Sequence, residues 1–120
     1  MTTPAPTGVP VLVAEDDPAQ RLLLVRLLER GGYRPVPVRS GLEARAVLES
    51  RDHPMLCLLD WNMPGISGLE LCRWLRSRPD LEGLQVILVT ARDTSEDVLE
   101  ALQAGADDHV AKPYRQGELL

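Results

Sequence analysis

Residues Leu58–Gly65 read LLDWNMPG: an apolar run stops on a single carboxylate, Asp60, and a tryptophan, a turn and a proline follow at once. With Met55, Leu56 and Cys57 in front, the run is MLCLLD. It is short and almost wholly apolar, as a strand covered on both faces must be. What a carboxylate does where such a strand meets water depends on whether the pattern recurs elsewhere in the chain.

It does recur. Val9–Ala14 (VPVLVA) is a similar apolar run, ending in Glu15, Asp16 and Asp17. Asp17 can cap a helix with Pro18 at its first position, Gln20 can close a capping box, and Gly31 with Gly32 can end the helix. Leu23, Leu24, Leu27 and Leu28 are its predicted buried stripe. Tyr33–Val38 (YRPVPV) is strand-like, but two prolines that cannot donate ladder hydrogen bonds confine it to a sheet edge. Ser40 with Glu43 opens a second helix running to about Ser50, and Ser67 with Glu70 caps a third through roughly Ser77. Leu84–Thr90 (LQVILVT) is a fourth strand. Thr94 and Asp97 begin a helix that Gly105 terminates, and Asp108–Ala111 is a fifth strand before Lys112-Pro113. A last helix barely starts at Glu118 and is predicted to be truncated, too short to stand alone.

Strand and helix thus alternate five times, the pattern of a doubly wound α/β domain: a parallel sheet with helices on both faces and right-handed crossovers. An edge-type second strand suits the order 2-1-3-4-5. In such sheets ligands bind beyond the carboxyl ends of the strands, at the switch in strand order between strands one and three. Asp60 is predicted to lie there.

Composition fits one ordinary globular domain. The chain has 120 residues, 44% of them hydrophobic and 26% charged, enough for a single core and too short for two. Thirteen basic and eighteen acidic residues leave a net charge of -5, so no global positive field draws in a nucleic acid or an anionic membrane. Cys57 and Cys72 lie in apolar or helical contexts without metal-ligand spacing and read as reduced core thiols of a cytoplasmic protein. Residues 1–8, MTTPAPTG, read as a flexible leader ahead of a domain over 9–120.

Four strand ends carry polar residues that converge on the predicted crevice: Glu15 and Asp16, Asp60, Thr90 and Lys112. Carboxylates packed together repel unless a cation keeps them ionised, and Mg2+ prefers the oxygens they offer. Lys112 is the one lysine among thirteen basic residues, a compact point charge where the rest of the chain uses arginine. A metal, an ammonium, a hydroxyl and a nucleophilic carboxylate together best serve phosphoryl transfer to Asp60. Taken alone, an aspartate ending a strand is ordinarily a loop solubiliser or cap, and Asp17 is read as a cap only. His53 and His109 are not predicted to share a metal.

From Val9 to Leu120 the chain resembles the receiver domain of two-component response regulators, and a chemotaxis-type receiver shares the run DWNMP. The resemblance implies a flavodoxin-like fold in which Asp60 is the phosphoacceptor. Asp16, Asp60 and the backbone carbonyl of Asn62 would ligate Mg2+, with Glu15 acting through water, and the Ala91 N–H would bind the phosphoryl group. The implied donor is a phosphohistidine on a sensor histidine kinase or phosphotransfer protein, with small acyl phosphates as substitutes. The implied output is a conformational change read by a downstream effector. In the family, the fourth helix, fifth strand and last helix form a homodimer or effector surface, and residues such as Asn62 and Arg92 tune phosphate lifetime. The switch pair would be Thr90 and an aromatic residue on the fifth strand, but here that position is His109, whose smaller, ionisable ring predicts a weaker or pH-dependent switch. Two alternatives are a pseudo-receiver that binds partners without phosphorylation and a haloacid-dehalogenase-type phosphatase. The phosphatase would place its nucleophile after the first strand within D-x-D.

Overall fold

The computed structural model describes residues 9–50, 52–90 and 95–111. Within them, five strands, β1 (Pro10–Ala14), β2 (Arg34–Val38), β3 (Leu56–Asp60), β4 (Gln85–Thr90) and β5 (Asp108–Ala111), form one sheet in the order β2-β1-β3-β4-β5. Every pairing is parallel. The helices are α1 (Pro18–Arg30), α2 (Gly41–Leu48), α3 (Gly68–Arg76) and α4 (Ser95–Gln103), with a 3-10 turn over Pro79–Leu81. The expected leader and truncated last helix lie outside the described residues.

Alternation along each central strand divides the apolar side chains between two cores. Val11 and Val13 of β1 join Leu58, Val89 and Val110 beneath Leu24 and Leu28 of α1. Leu12 and Ala14 point the other way, into a larger cluster with Cys57, Leu59, Leu88, Ala44 and Leu48 of α2, and Leu71, Cys72 and Leu75 of α3. Two-sided coverage explains why these strands read as continuous apolar runs rather than alternating ones.

Most boundaries follow from local chemistry. The Asp17 side chain accepts from the Gln20 N–H at 2.8 Å, and Gly32, at φ 88°, lets the Tyr33 N–H return to the Leu28 carbonyl at 3.0 Å and end α1. Ser67 and Glu70 form a complete capping box at α3. At α2 the return bond shifts: Glu43 accepts from the Arg39 N–H at 2.6 Å. At α1 the Asp17 N–H, which a capping box would give to Gln20, is donated to Glu15 Oε2 at 3.1 Å. One residue of the predicted α1 stripe is corrected: Leu23 is 46% exposed, because at 3.6 residues per turn it falls to the side of the Leu24–Leu28 line. On β2, Pro35 and Pro37 alternate with residues that bond to β1, which leaves the outer edge without their donors.

Candidate functional site

The two central strands bring the acidic residues together. Ala14 pairs with Leu59, so the residues following each, Glu15 and Asp60, leave the sheet side by side at its carboxyl edge. Ligand oxygens of Glu15, Asp16 and Asp60 all lie within 4.8 Å of one another. Glu15 is 0% exposed and Asp60 5%, while Asp16 faces solvent. Two buried carboxylates and one open one converge there, and the donors are all oxygen. That is the preference of a hard cation such as Mg2+; zinc sites draw mostly on nitrogen and sulfur.

Asp60 is fixed by its neighbours on both sides. The N–H of Trp61 donates to the Val89 carbonyl at 2.9 Å, and the N–H of Gly68, the first residue of α3, donates to the Trp61 carbonyl at 2.9 Å. The Asn62 N–H approaches Asp60 Oδ1 at 3.4 Å. Trp61 is 4% exposed and belongs to the larger core. The side chain after Asp60 therefore anchors the strand end in the core.

Thr90 ends β4 at 1% exposure and pairs with Ala111, the residue before Lys112 in sequence. His109 is half-buried and pairs with Leu88, two residues before Thr90 and on the same face of the sheet. Lys112, Ala91 and Arg92 lie outside the described residues, as does Thr94. Asn62 is exposed at the crevice rim.

Two residues at this site carry no motif in the sequence. A Cβ at Gly68 would collide with the carbonyl of Asp60, so only glycine lets α3 close on the Asp60 backbone. Arg21 donates from one guanidinium nitrogen to the carbonyls of Glu15 at 2.9 Å and Asp16 at 3.4 Å. Its only sequence signal is a cation near the start of a helix, where the dipole favours anions.

The family model of the response regulator receiver domain matches residues 11–120. The chain belongs to that family. It is 43% identical over 110 residues to the phosphate regulon transcriptional regulatory protein PhoB of Rhizobium meliloti, covering 92% of this chain and 48% of that one. It therefore spans about half the length of the curated relatives it matches. Among solved structures, the receiver domain of a signal transduction histidine kinase from Syntrophus aciditrophicus is 40% identical with a TM-score of 0.84, over 93% of this chain and 84% of that one. The receiver domain of sensor histidine kinase PA1611 from Pseudomonas aeruginosa PAO1 is 30% identical with a TM-score of 0.82, over 93% and 91% of the two chains. It has a magnesium ion coordinated in its active-site cleft. This receiver thus has the flavodoxin-like architecture that its sequence predicts.

Proposed function

We propose that this receiver is a phosphorylation-controlled switch in which Asp60 accepts a phosphoryl group from a phosphohistidine of a sensor histidine kinase or phosphotransfer protein. A carboxylate oxygen of Asp60 attacks phosphorus, the phosphorus–nitrogen bond breaks, and the imidazole leaves. The observation that carries the reading is the convergence of Glu15, Asp16 and Asp60 within 4.8 Å at the ends of adjacent strands.

In this reading Asp16, Asp60 and the Asn62 carbonyl ligate Mg2+ directly, and Glu15 holds a water of its shell. Mg2+ supplies charge neutralisation for the transferred group, together with the Lys112 ammonium. Thr90 and the Ala91 N–H donate hydrogen bonds to the phosphoryl oxygens. Thr90 and His109 change position on phosphorylation to alter the face of α4 and β5, where a homodimer partner or an effector docks. Asn62 and Arg92 flank the group and set its lifetime, and its loss is self-catalysed hydrolysis. Residues 9–120 act in the cytoplasm as the input module of a regulator.

Acetyl phosphate with Mg2+ is expected to add one phosphoryl group to the protein, read by intact mass, and Asp60→Asn to abolish the addition. Undiminished labelling of the Asp60→Asn variant would remove Asp60 from its assigned role. Multiple turnover on small phosphomonoesters would point to a phosphatase.

A further inference from the structure

The two carboxylates read as direct metal ligands are held very differently. Asp60 closes a central strand hydrogen-bonded on both sides. Asp16 is exposed and lies between β1 and α1, outside either element. Mg2+ demands near-ideal octahedral order at about 2.0–2.1 Å, so a loosely held Asp16 would forfeit affinity to the cost of ordering it.

The turn is held from behind. The Glu15 N–H donates to the Val38 carbonyl at 3.2 Å, and the Asp17 N–H donates to Glu15 Oε2 at 3.1 Å. Arg21, the fourth residue of α1, adds bonds to the carbonyls of Glu15 at 2.9 Å and Asp16 at 3.4 Å. Those carbonyls belong to the two peptide units that flank the Asp16 Cα. Both bonds leave one terminal nitrogen of the guanidinium, whose planar, delocalised head loses less freedom per bond than a flexible ammonium does.

We propose that Arg21 is a positioning residue for the metal: by gripping the peptide on each side of Asp16, it presents that carboxylate to Mg2+ already ordered. The proposal rests on the metal site assigned above. A guanidinium beside an acidic pocket also has an opposite effect, since its charge repels a divalent cation. If repulsion dominated, removing Arg21 would tighten Mg2+ binding; if positioning dominates, removal weakens it. The sign of the change therefore separates the two.

Mg2+ binding is measured by titration calorimetry, and by Trp61 emission in a Trp74→Phe background, for the unmodified protein and for Arg21→Ala, Arg21→Lys and Arg26→Ala. Arg21→Ala is expected to weaken Mg2+ binding roughly 10-fold or more, the scale of a lost outer-shell partner. Arg21→Lys should recover part of the loss, and Arg26→Ala, an exposed change on the same helix, should leave affinity unchanged. Melting of the metal-free proteins supplies the structural control. A lower melting temperature in Arg21→Ala with unaltered Mg2+ affinity overturns the proposal, as does tighter binding. Should the alanine variant fail to fold, Arg21→Lys and Arg21→Gln carry the same comparison. No Mg2+ binding by the unmodified protein would bring down the metal assignment itself, whereas normal binding with indifferent Arg21 variants would bring down this proposal alone.

Discussion

Gly68 shows how little room the site leaves at the level of one residue. A Cβ there would overlap the Asp60 carbonyl and lie 3.1 Å from the Trp61 Cα, and both are backbone atoms that cannot swing aside. Gly68→Ala must therefore push α3 away or move Asp60, and overpacking of this kind costs about 1–3 kcal/mol. The expected outcome is a lower urea midpoint together with slower phosphoryl uptake from acetyl phosphate. Gly83→Ala is the comparison: its Cβ would meet only the flexible end of Met55 at 3.6 Å, so its stability should stay within about 0.5 kcal/mol of the parent. The sequence marks Gly68 only as the residue after a helix cap. Its contact with Asp60 exists because the loop from β3 folds back to start α3 directly over the strand end.

Between elements, Arg76 at the end of α3 joins segments that are distant in the chain. Its Nε donates to the Gly105 carbonyl at 2.8 Å, one terminal nitrogen to the Leu84 carbonyl at 2.7 Å, and the other to Asp107 Oδ2 at 2.8 Å. Asp107 Oδ2 in turn accepts from the Val86 N–H at 2.8 Å. The ion pair itself contributes little, because the Asp107 side chain is 49% exposed and solvent screens it. The larger effect is satisfaction of two part-buried carbonyls, each worth about 1–3 kcal/mol when left without a donor. Arg76→Ala is thus expected to cost about 2–4 kcal/mol in urea unfolding, and Asp107→Asn clearly less; equal losses would mean that the charge matters more than the carbonyls. The same grip explains Gly105, whose φ is 101° and whose added Cβ would strike the Arg76 side chain. The helix stop at Gly105 was readable from residue type, but the arginine that packs on it was not. The two are 29 residues apart, and no local pattern links them.

At the scale of the molecule, the sheet sorts its side chains into two cores, and both cysteines fall in the larger one. Burial, with a smaller contribution from neighbouring Cys72, pushes the Cys57 thiol up to about 12. Burial raises Cys72 to about 11, partly offset by the Arg76 charge, and its Sγ donates to the Ala104 carbonyl at 3.4 Å. Both thiols should resist iodoacetamide at about pH 8 in the folded protein and react once it is denatured. Because the folded values exceed the ordinary 9.0, the unfolded chain ionises first as pH rises. The thiols' contribution to stability is therefore whole below pH 9.0 and is lost as pH climbs through about 11 to about 12. Alkaline unfolding of Cys57→Ala should show a shallower decline over that window. The sequence by itself determined the alternation of strands and helices, the edge placement of the proline-bearing strand, and the strand ends on which Glu15, Asp16, Asp60 and Thr90 sit, because periodicity, caps and turn residues act over a few neighbours. Tertiary structure alone decided that Trp61 is core and that Gly68 and Arg21 brace the acidic residues. Those outcomes depend on which surfaces the packed layers bring into contact, and short-range residue preferences carry no record of that.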